Sequence, residues 1–292
     1  MPVVLAGERI AFDAIGTTWH LTTDRPIEPP TRARIDALVA RYDRTWSRFR
    51  PDSAVNALAA TGGPVDLGDE AAPLLGLLAQ LRDATDGAMD PLVAASLEHL
   101  GYDADVRLHP LPGHRPAPSS TVEVAGSSVR ATPPALLDVG SAGKGQLADL
   151  VARELVAAGH DRHVVDGSGD LVVAGPPVRV ALEHPFDPAA AVGVVEVADG
   201  AIAGSAANRR AWQTPDGRRL HHVLDARTGA PVESIAATWA LADDAMTADA
   251  LATALFLVPP DALEERFDFR WVRMRTDGRI SASAGIRGEL FR

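Results

Sequence analysis

Segments with strand periodicity and segments with helix periodicity come in blocks along this chain, not in strict alternation. That order constrains the architecture most. A doubly wound parallel sheet needs a helix after nearly every strand, whereas blocks favour an α+β fold. "GTTWHLTTD" alternates and is rich in β-branched residues, so it reads as a strand. "PPTRARIDALVARYDRTWSRF" reads as a helix, with Ile35, Leu38, Val39 and Tyr42 at helical spacing and Thr31 able to cap it. "GDEAAPLLGLLAQLRDATDG" is a second helix, with Asp69 as its cap and Pro73 tolerable only near the first turn. Residues 146–158 form a third, with Leu147, Leu150, Val151 and Leu155 on one side and Gly159 as its stop. A run of strands follows in "HVVDGSGDLVVAG", "VRVALEH", "VGVVEV", "AIAGS", "HHVLD" and "ATWALAD". The chain then continues as a helix, "AMTADALATALFLV", and closes as a hairpin that turns at Asp277-Gly278. The proline-rich stretch between Tyr102 and Pro118 is the best candidate boundary. The expectation is one large mixed domain over residues 1–292, with an antiparallel-rich sheet, packed helices and at most a loop or sub-domain break near 103–119.

A formal net charge of -11 argues against a nucleic-acid partner, because neutralising a phosphate backbone needs a basic face. An acidic chain that handles a phosphorylated ligand needs a local lysine, arginine or bound metal instead. With no cysteine, disulfides, thiolate metal sites and cysteine nucleophiles are excluded. His20, His99, His109, His114, His160, His163 and His184 lack zinc-site spacing, and no nucleophile elbow is in register. No apolar run is long enough for a membrane span and the N-terminal stretch lacks signal character, so a soluble, cytoplasmic protein is expected.

Chemistry concentrates in a few stretches. "DVGSAGKGQLAD" (138–149) misses a Walker phosphate loop at both ends, with Asp138 where the first glycine belongs and Gly145 where the hydroxyl belongs. Its glycines still permit a tight turn with bare backbone groups ahead of a helix N-terminus, with Lys144 near an anion; a plain strand-to-helix turn with a solvated lysine fits as well. Asp249 and Thr253 stand i, i+4 on a helix, an oxygen pair suited to a hard cation, or simply a dipole-favoured acid beside a packed threonine. In "LHHVLDARTGAPVE", His221 and His222 face opposite sides of a strand, so at most one reaches any given site. Asp225, Arg227 and Thr228 follow in a turn shaped by Gly229, as a proton acceptor and anion clamp or as a salt-bridged β-turn.

The order of these stretches carries more than any one of them. "GTTWHL", "SRFRPDSAVNALA", "TDGAMDP", "DVGSAGKGQLAD", "VVDGSGDLVVAG", "HHVLDARTGAPV" and "TADALATALFLV" together resemble the FAD:protein FMN transferases, or ApbE-like proteins, from about Gly16 to Val258. The resemblance implies an Mg2+-dependent enzyme that cleaves FAD, transfers FMN to a threonine or serine hydroxyl of an acceptor protein, and releases AMP. It implies Asp249 and Thr253 as metal-binding side chains, with the backbone carbonyls of Gly143 and Ala252 as further contacts. It places His222 as the acceptor of the hydroxyl proton, with Lys144 and Asp225 as further catalytic residues. Asp138, Gly140, Ser141, Gly143, Lys144, Ser205, Arg227 and Thr228 would meet FAD. The chain departs from the family pattern at Gly143 (usually Ala), at Ala226 (usually Pro), around Ser205 ("GSAANRR") and at Ser168-Gly169-Asp170. Two other readings stay open: an FAD pyrophosphatase with water as acceptor, and an FAD-binding protein without turnover.

Overall fold

The computed structural model describes residues 7–214 and 216–291. β1 (Glu8–Ala14) and β2 (Thr17–Thr23) pair antiparallel, and Trp19 of β2 is fully buried in the main core. α1 (Pro29–Trp46) opens on two prolines, where a missing N–H costs nothing, and buries Ile35, Tyr42 and Trp46. Thr31 does not cap this helix, as its sequence position led one to expect; it is buried one turn in, and Glu28 stands at the cap without a side-chain bond. α2 (Ala54–Thr61) is capped by Ser53, whose hydroxyl accepts from the Asn56 N–H at 3.3 Å. β3 (Val65–Asp66) leads into α3 (Ala71–Ala84), which starts after Glu70 and not at Asp69, with Pro73 inside its first turn. α4 (Ala94–His99) ends at the proline-rich stretch.

That stretch is tied to its surroundings: Leu108 N–H donates to Gly101 O (2.8 Å), Leu111 N–H to His99 O (2.8 Å) and Ala117 N–H to Ala226 O (2.8 Å). Residues on both sides of it contribute to one core. β4 (Thr121–Ala125) and β5 (Ser128–Thr132) form a hairpin that joins β3 in a small sheet. α5 (Gly143–Ala157) begins three residues before the expected start, so Lys144 lies in its first turn. β6 (His163–Asp166) and β7 (Asp170–Ala174) follow, then β8 (Val178–His184), β9 (Asp187–Val197) and β10 (Gly200–Ala206). The short hairpins β11 (Ala211–Gln213) with β12 (Arg219–His221), and β13 (Leu224–Asp225) with β14 (Ala230–Pro231), lead to β15 (Ile235–Ala242). α6 (Ala245–Leu257) and α7 (Pro260–Glu264) precede β16 (Arg270–Arg275), β17 (Ile280–Ala282) and β18 (Gly288–Leu290).

One sheet of eight strands, ordered β1-β2-β6-β7-β10-β15-β16-β17, is antiparallel throughout. The expected α+β class with an antiparallel-rich sheet is what the chain adopts. The main core joins this sheet to α1, α3, α5 and α6. A second core, with Leu171, Leu182, Val195 and Trp239, joins it to the three-stranded sheet β18-β9-β8. α6 is apolar nearly all round, as a helix enclosed by its neighbours must be. α5 crosses it at Gly145, where a Cβ would stand 2.0 Å from the Ala245 carbonyl oxygen. Any side chain there would drive the two helices apart, so glycine at this position sets how closely the lysine turn approaches α6.

Candidate active site

Two acids hold the start of α6. Asp244 accepts from the Thr247 N–H at 2.7 Å, and Asp149, reaching over from α5, accepts from Ala245 N–H and Met246 N–H at 2.9 Å each. Three of the four orphan N–H groups of the helix are thereby paired. Burial, the largest influence on Asp149, pushes its carboxyl up to about 6. With the helix anchored at both crossing and cap, Asp249 falls one turn in, only 2% exposed, and its Oδ2 accepts from the Gly145 N–H at 3.1 Å.

Lys144 joins this acid from the opposite helix. Its Nζ lies 3.4 Å from both oxygens of Asp249 and bonds to Asp170 at the first position of β7. Burial alone would lower the Lys144 ammonium, but the two carboxylates outweigh it and hold the group above its ordinary value. Asp170 is pushed up to about 7, by burial first and then by the Asp249 charge, against the pull of Lys144. Thr253, one turn beyond Asp249, has its hydroxyl 3.4 Å from that of Ser205 on β10. The Ala252 carbonyl accepts from the buried Thr238 hydroxyl at 2.5 Å.

The donor set fits a hard divalent cation. It consists of oxygens, the Asp249 carboxylate and Thr253 hydroxyl at the cavity wall with the buried Asp170 carboxylate behind them, and Mg2+ takes one or two carboxylates plus water and ligand phosphate. Among the described residues the buried Oδ1 of Asp170 has no hydrogen-bond partner, which is a further open oxygen at the same place. No cluster of three or more acidic or histidine side chains suited to a metal occurs among the described residues, so a cation here would complete its shell from backbone, water and ligand.

Asp249, Thr253, Lys144 and Ser205 line one cavity of about 1150 Å3, together with Asp138, Gly140, Ser141 and Gly143 of the lysine turn. The carboxylate of Asp138 is engaged: it accepts from the Gly140 N–H at 2.7 Å and from Arg48 Nε at 2.6 Å. Arg48 also donates to the Tyr102 carbonyl at 2.9 Å and lies over the Phe49 ring at 4.3 Å. His222 lines the same cavity, just past the end of β12, and its buried Nδ1 has no hydrogen-bond partner among the described residues. Burial first, then the Arg210 charge, lowers it to about 4, so the ring is neutral at pH 7. His221 turns the other way, its Nε2 donating to the Val232 carbonyl at 2.8 Å.

Asp225, Arg227 and Thr228 are placed outside this cavity. Arg227 Nη2 pairs with Asp225 at 2.6 Å, the Arg227 N–H donates to Asp225 Oδ1 at 3.0 Å, and the Thr228 hydroxyl donates to the Asp225 carbonyl at 3.3 Å. Gly229 (φ 71°) closes the turn where a Cβ would stand 2.0 Å from the Arg115 carbonyl oxygen. These side chains make a salt-bridged turn that seats the proline-rich stretch. Sequence reasoning gave no site role to Asp170, Asp149, Arg48 or Arg210; of these only Asp170 carried a local signal, an acid directly after a tight glycine turn.

Solved ApbE proteins share this antiparallel α+β fold. The ApbE protein of Thermotoga maritima superposes with a TM-score of 0.82 at 22% identity, covering 95% of this chain and 97% of that one. The flavin transferase ApbE of Vibrio cholerae superposes at 0.76 with 22% identity and the same coverage. The ApbE family profile matches residues 15–270, and the chain belongs to the ApbE family. It is 28% identical over 301 aligned positions to the FAD:protein FMN transferase of Rhodobacter capsulatus, covering 96% of this chain and 57% of that protein. The enzyme of that name from Klebsiella pneumoniae is 26% identical, covering 86% of this chain and 78% of its own length.

Proposed function

We propose that this chain is an FAD:protein FMN transferase, moving FMN from FAD to a threonine or serine hydroxyl of an acceptor protein with release of AMP. The observation that carries the reading is the meeting, in one cavity of dinucleotide size, of the Lys144–Asp249 cluster with a neutral, unpartnered histidine. Family membership and the names of the relatives support the same reading. The neutral imidazole of His222 accepts the proton as the acceptor hydroxyl attacks the FMN phosphorus. The phosphorus–oxygen bond to AMP breaks as the new one forms, and the electron pair leaves on AMP. Such a transfer relies on positioning and charge stabilisation more than on covalent help from the protein. Asp249 and Thr253 would hold Mg2+, with Asp170 and the carbonyls of Gly143 and Ala252 beside it. When bound, the cation offsets charge on the diphosphate. Lys144 keeps the two acids at a fixed spacing, and the Gly145 N–H orients one oxygen of Asp249.

Incubation with FAD, Mg2+ and a threonine-bearing acceptor protein, followed by mass spectrometry, tests the reading. The expected product is an acceptor heavier by FMN, with one AMP for each adduct, and its loss on chelation. FMN and AMP without adduct would identify a pyrophosphatase, and unchanged FAD a binding protein.

A further inference from the structure

Among the described residues six cationic side chains line the cavity: Arg9, Arg48, Lys144, Arg179, Arg209 and Arg210. Three are matched by acids. Arg48 pairs with Asp138 at 2.6 Å, Arg209 with Glu183 at 2.8 Å, and Lys144 with both Asp170 and Asp249. Arg9 and Arg179 are exposed on β1 and β8, where water solvates their charge. Arg210 differs from all five. It is half-buried, and among the described residues it has no carboxylate partner.

What holds Arg210 is neutral. Its Nη1 bonds to the Tyr102 hydroxyl, and its guanidinium lies 5.8 Å from the centre of the Tyr102 ring. Tyr102 is itself fixed: Trp212 stacks on it at 5.7 Å, and Trp212 Nε1 donates to the Leu100 carbonyl at 2.9 Å. These rings belong to a small core of their own, with Leu97, Leu220 and Leu224. A guanidinium has five N–H donors, and the tyrosine oxygen takes one. A cation drawn partly out of water without a counter-charge is costly, and an anionic ligand relieves that cost. The position relative to the proposed base is also set, because the His222 N–H donates to the Arg210 carbonyl at 3.3 Å. The Arg210 charge is, after burial, the largest influence that keeps His222 neutral.

We propose that Arg210 is a diphosphate-binding residue, its guanidinium gripping non-bridging oxygens of the FAD diphosphate on the His222 side of the cavity. The identity of the ligand rests on the transferase reading; the presence of an anion there rests on the unmatched charge. Lys144 is poorly suited to that task, since two carboxylates already offset it. Arg210 forms no covalent bond in the transfer: the hydroxyl proton passes to His222, the bond to AMP breaks, and Arg210 supplies positive charge throughout.

Calorimetric titration of the full chain with ADP, riboflavin and FAD, with and without Mg2+, tests this. ADP carries a diphosphate without flavin, and riboflavin carries the flavin without phosphate. Arg210→Gln should weaken ADP and FAD binding by roughly tenfold to a hundredfold and leave riboflavin unchanged. Arg210→Lys, which keeps charge but loses the planar fork, should recover part of the loss, and it serves as the readout if the glutamine variant does not fold. Tyr102→Phe, which frees the guanidinium but keeps the ring, should lose less than Arg210→Gln. An unaltered ADP affinity in Arg210→Gln overturns the proposal, as does an equal loss for riboflavin or a wild-type chain that binds no ADP. Arg210-dependent ADP binding without FAD turnover would keep this assignment and remove the transferase reading. Wild-type transfer by Arg210→Gln would do the reverse.

Discussion

Two acid-and-cation clusters of the chain look alike on paper and behave differently in the fold. In the Lys144–Asp170–Asp249 group, Asp170 and Asp249 are 1% and 2% exposed, and the three members come from α5, β7 and α6. In the Asp225–Arg227 turn the partners are two residues apart and Arg227 is largely in water. Burial makes the first group's charges depend on one another, so that Asp170 rises to about 7 while Lys144 is held protonated. Solvent screens the second, where the Arg227 guanidinium holds Asp225 below the usual carboxylate range. Residue type and local spacing do not make a reactive site; desolvation of groups that meet from distant segments does.

The sharpest way to break this contrast is Asp249→Ala. It should cut Mg2+-dependent transfer by more than roughly a hundredfold and weaken Mg2+ binding measured by calorimetry. Activity near that of the wild type would dissolve the buried group's claim to the chemistry.

His222→Ala should lower kcat by roughly a hundredfold to ten-thousandfold with a smaller effect on FAD affinity. In the wild type, protonation of His222 should depress kcat only as the pH nears 4, a limb the variant should lack. Stability follows the same group with a definite sign. The folded value lies below the unfolded one, so its contribution is complete above about pH 6.5 and is lost as the pH falls toward 4. Denaturant titrations of wild type and variant across that window should therefore converge on acidification.

Asp149→Ala tests the frame beneath the site. It removes two bonds to the α6 N-terminus and should cost about 1–2 kcal/mol of unfolding free energy by urea titration. Arg227→Ala is the smallest effect: an exposed pair of this kind contributes less than about 1 kcal/mol, read as a small drop in Tm. If Arg227→Ala instead matched Asp249→Ala in lost transfer, the turn would belong to the site and the contrast would fail.

Much of this was legible in the linear chain, and the misses share one cause. Helices such as α1 and α5 declare themselves by periodicity, and the β16–β17 hairpin by Asp277-Gly278. The i, i+4 placement of Asp249 and Thr253 is also local geometry. The partners that give those residues their character are not local. Lys144 meets Asp170 across 26 positions and Asp249 across 105, Arg48 meets Asp138 across 90, and Asp149 meets Ala245 across 96. Thr31 and Asp69 failed as caps because Pro29 and Glu70 had already set where their helices begin.

By itself, then, the sequence determined the α+β class, most of the elements, and which stretches hold oxygen and nitrogen donors, because period and turn chemistry act over a few residues. Only the tertiary structure decided which donors share a cavity, which acid offsets which cation, and that Arg210 is left without one among the described residues. Those outcomes depend on burial, and burial exists only once distant segments have packed.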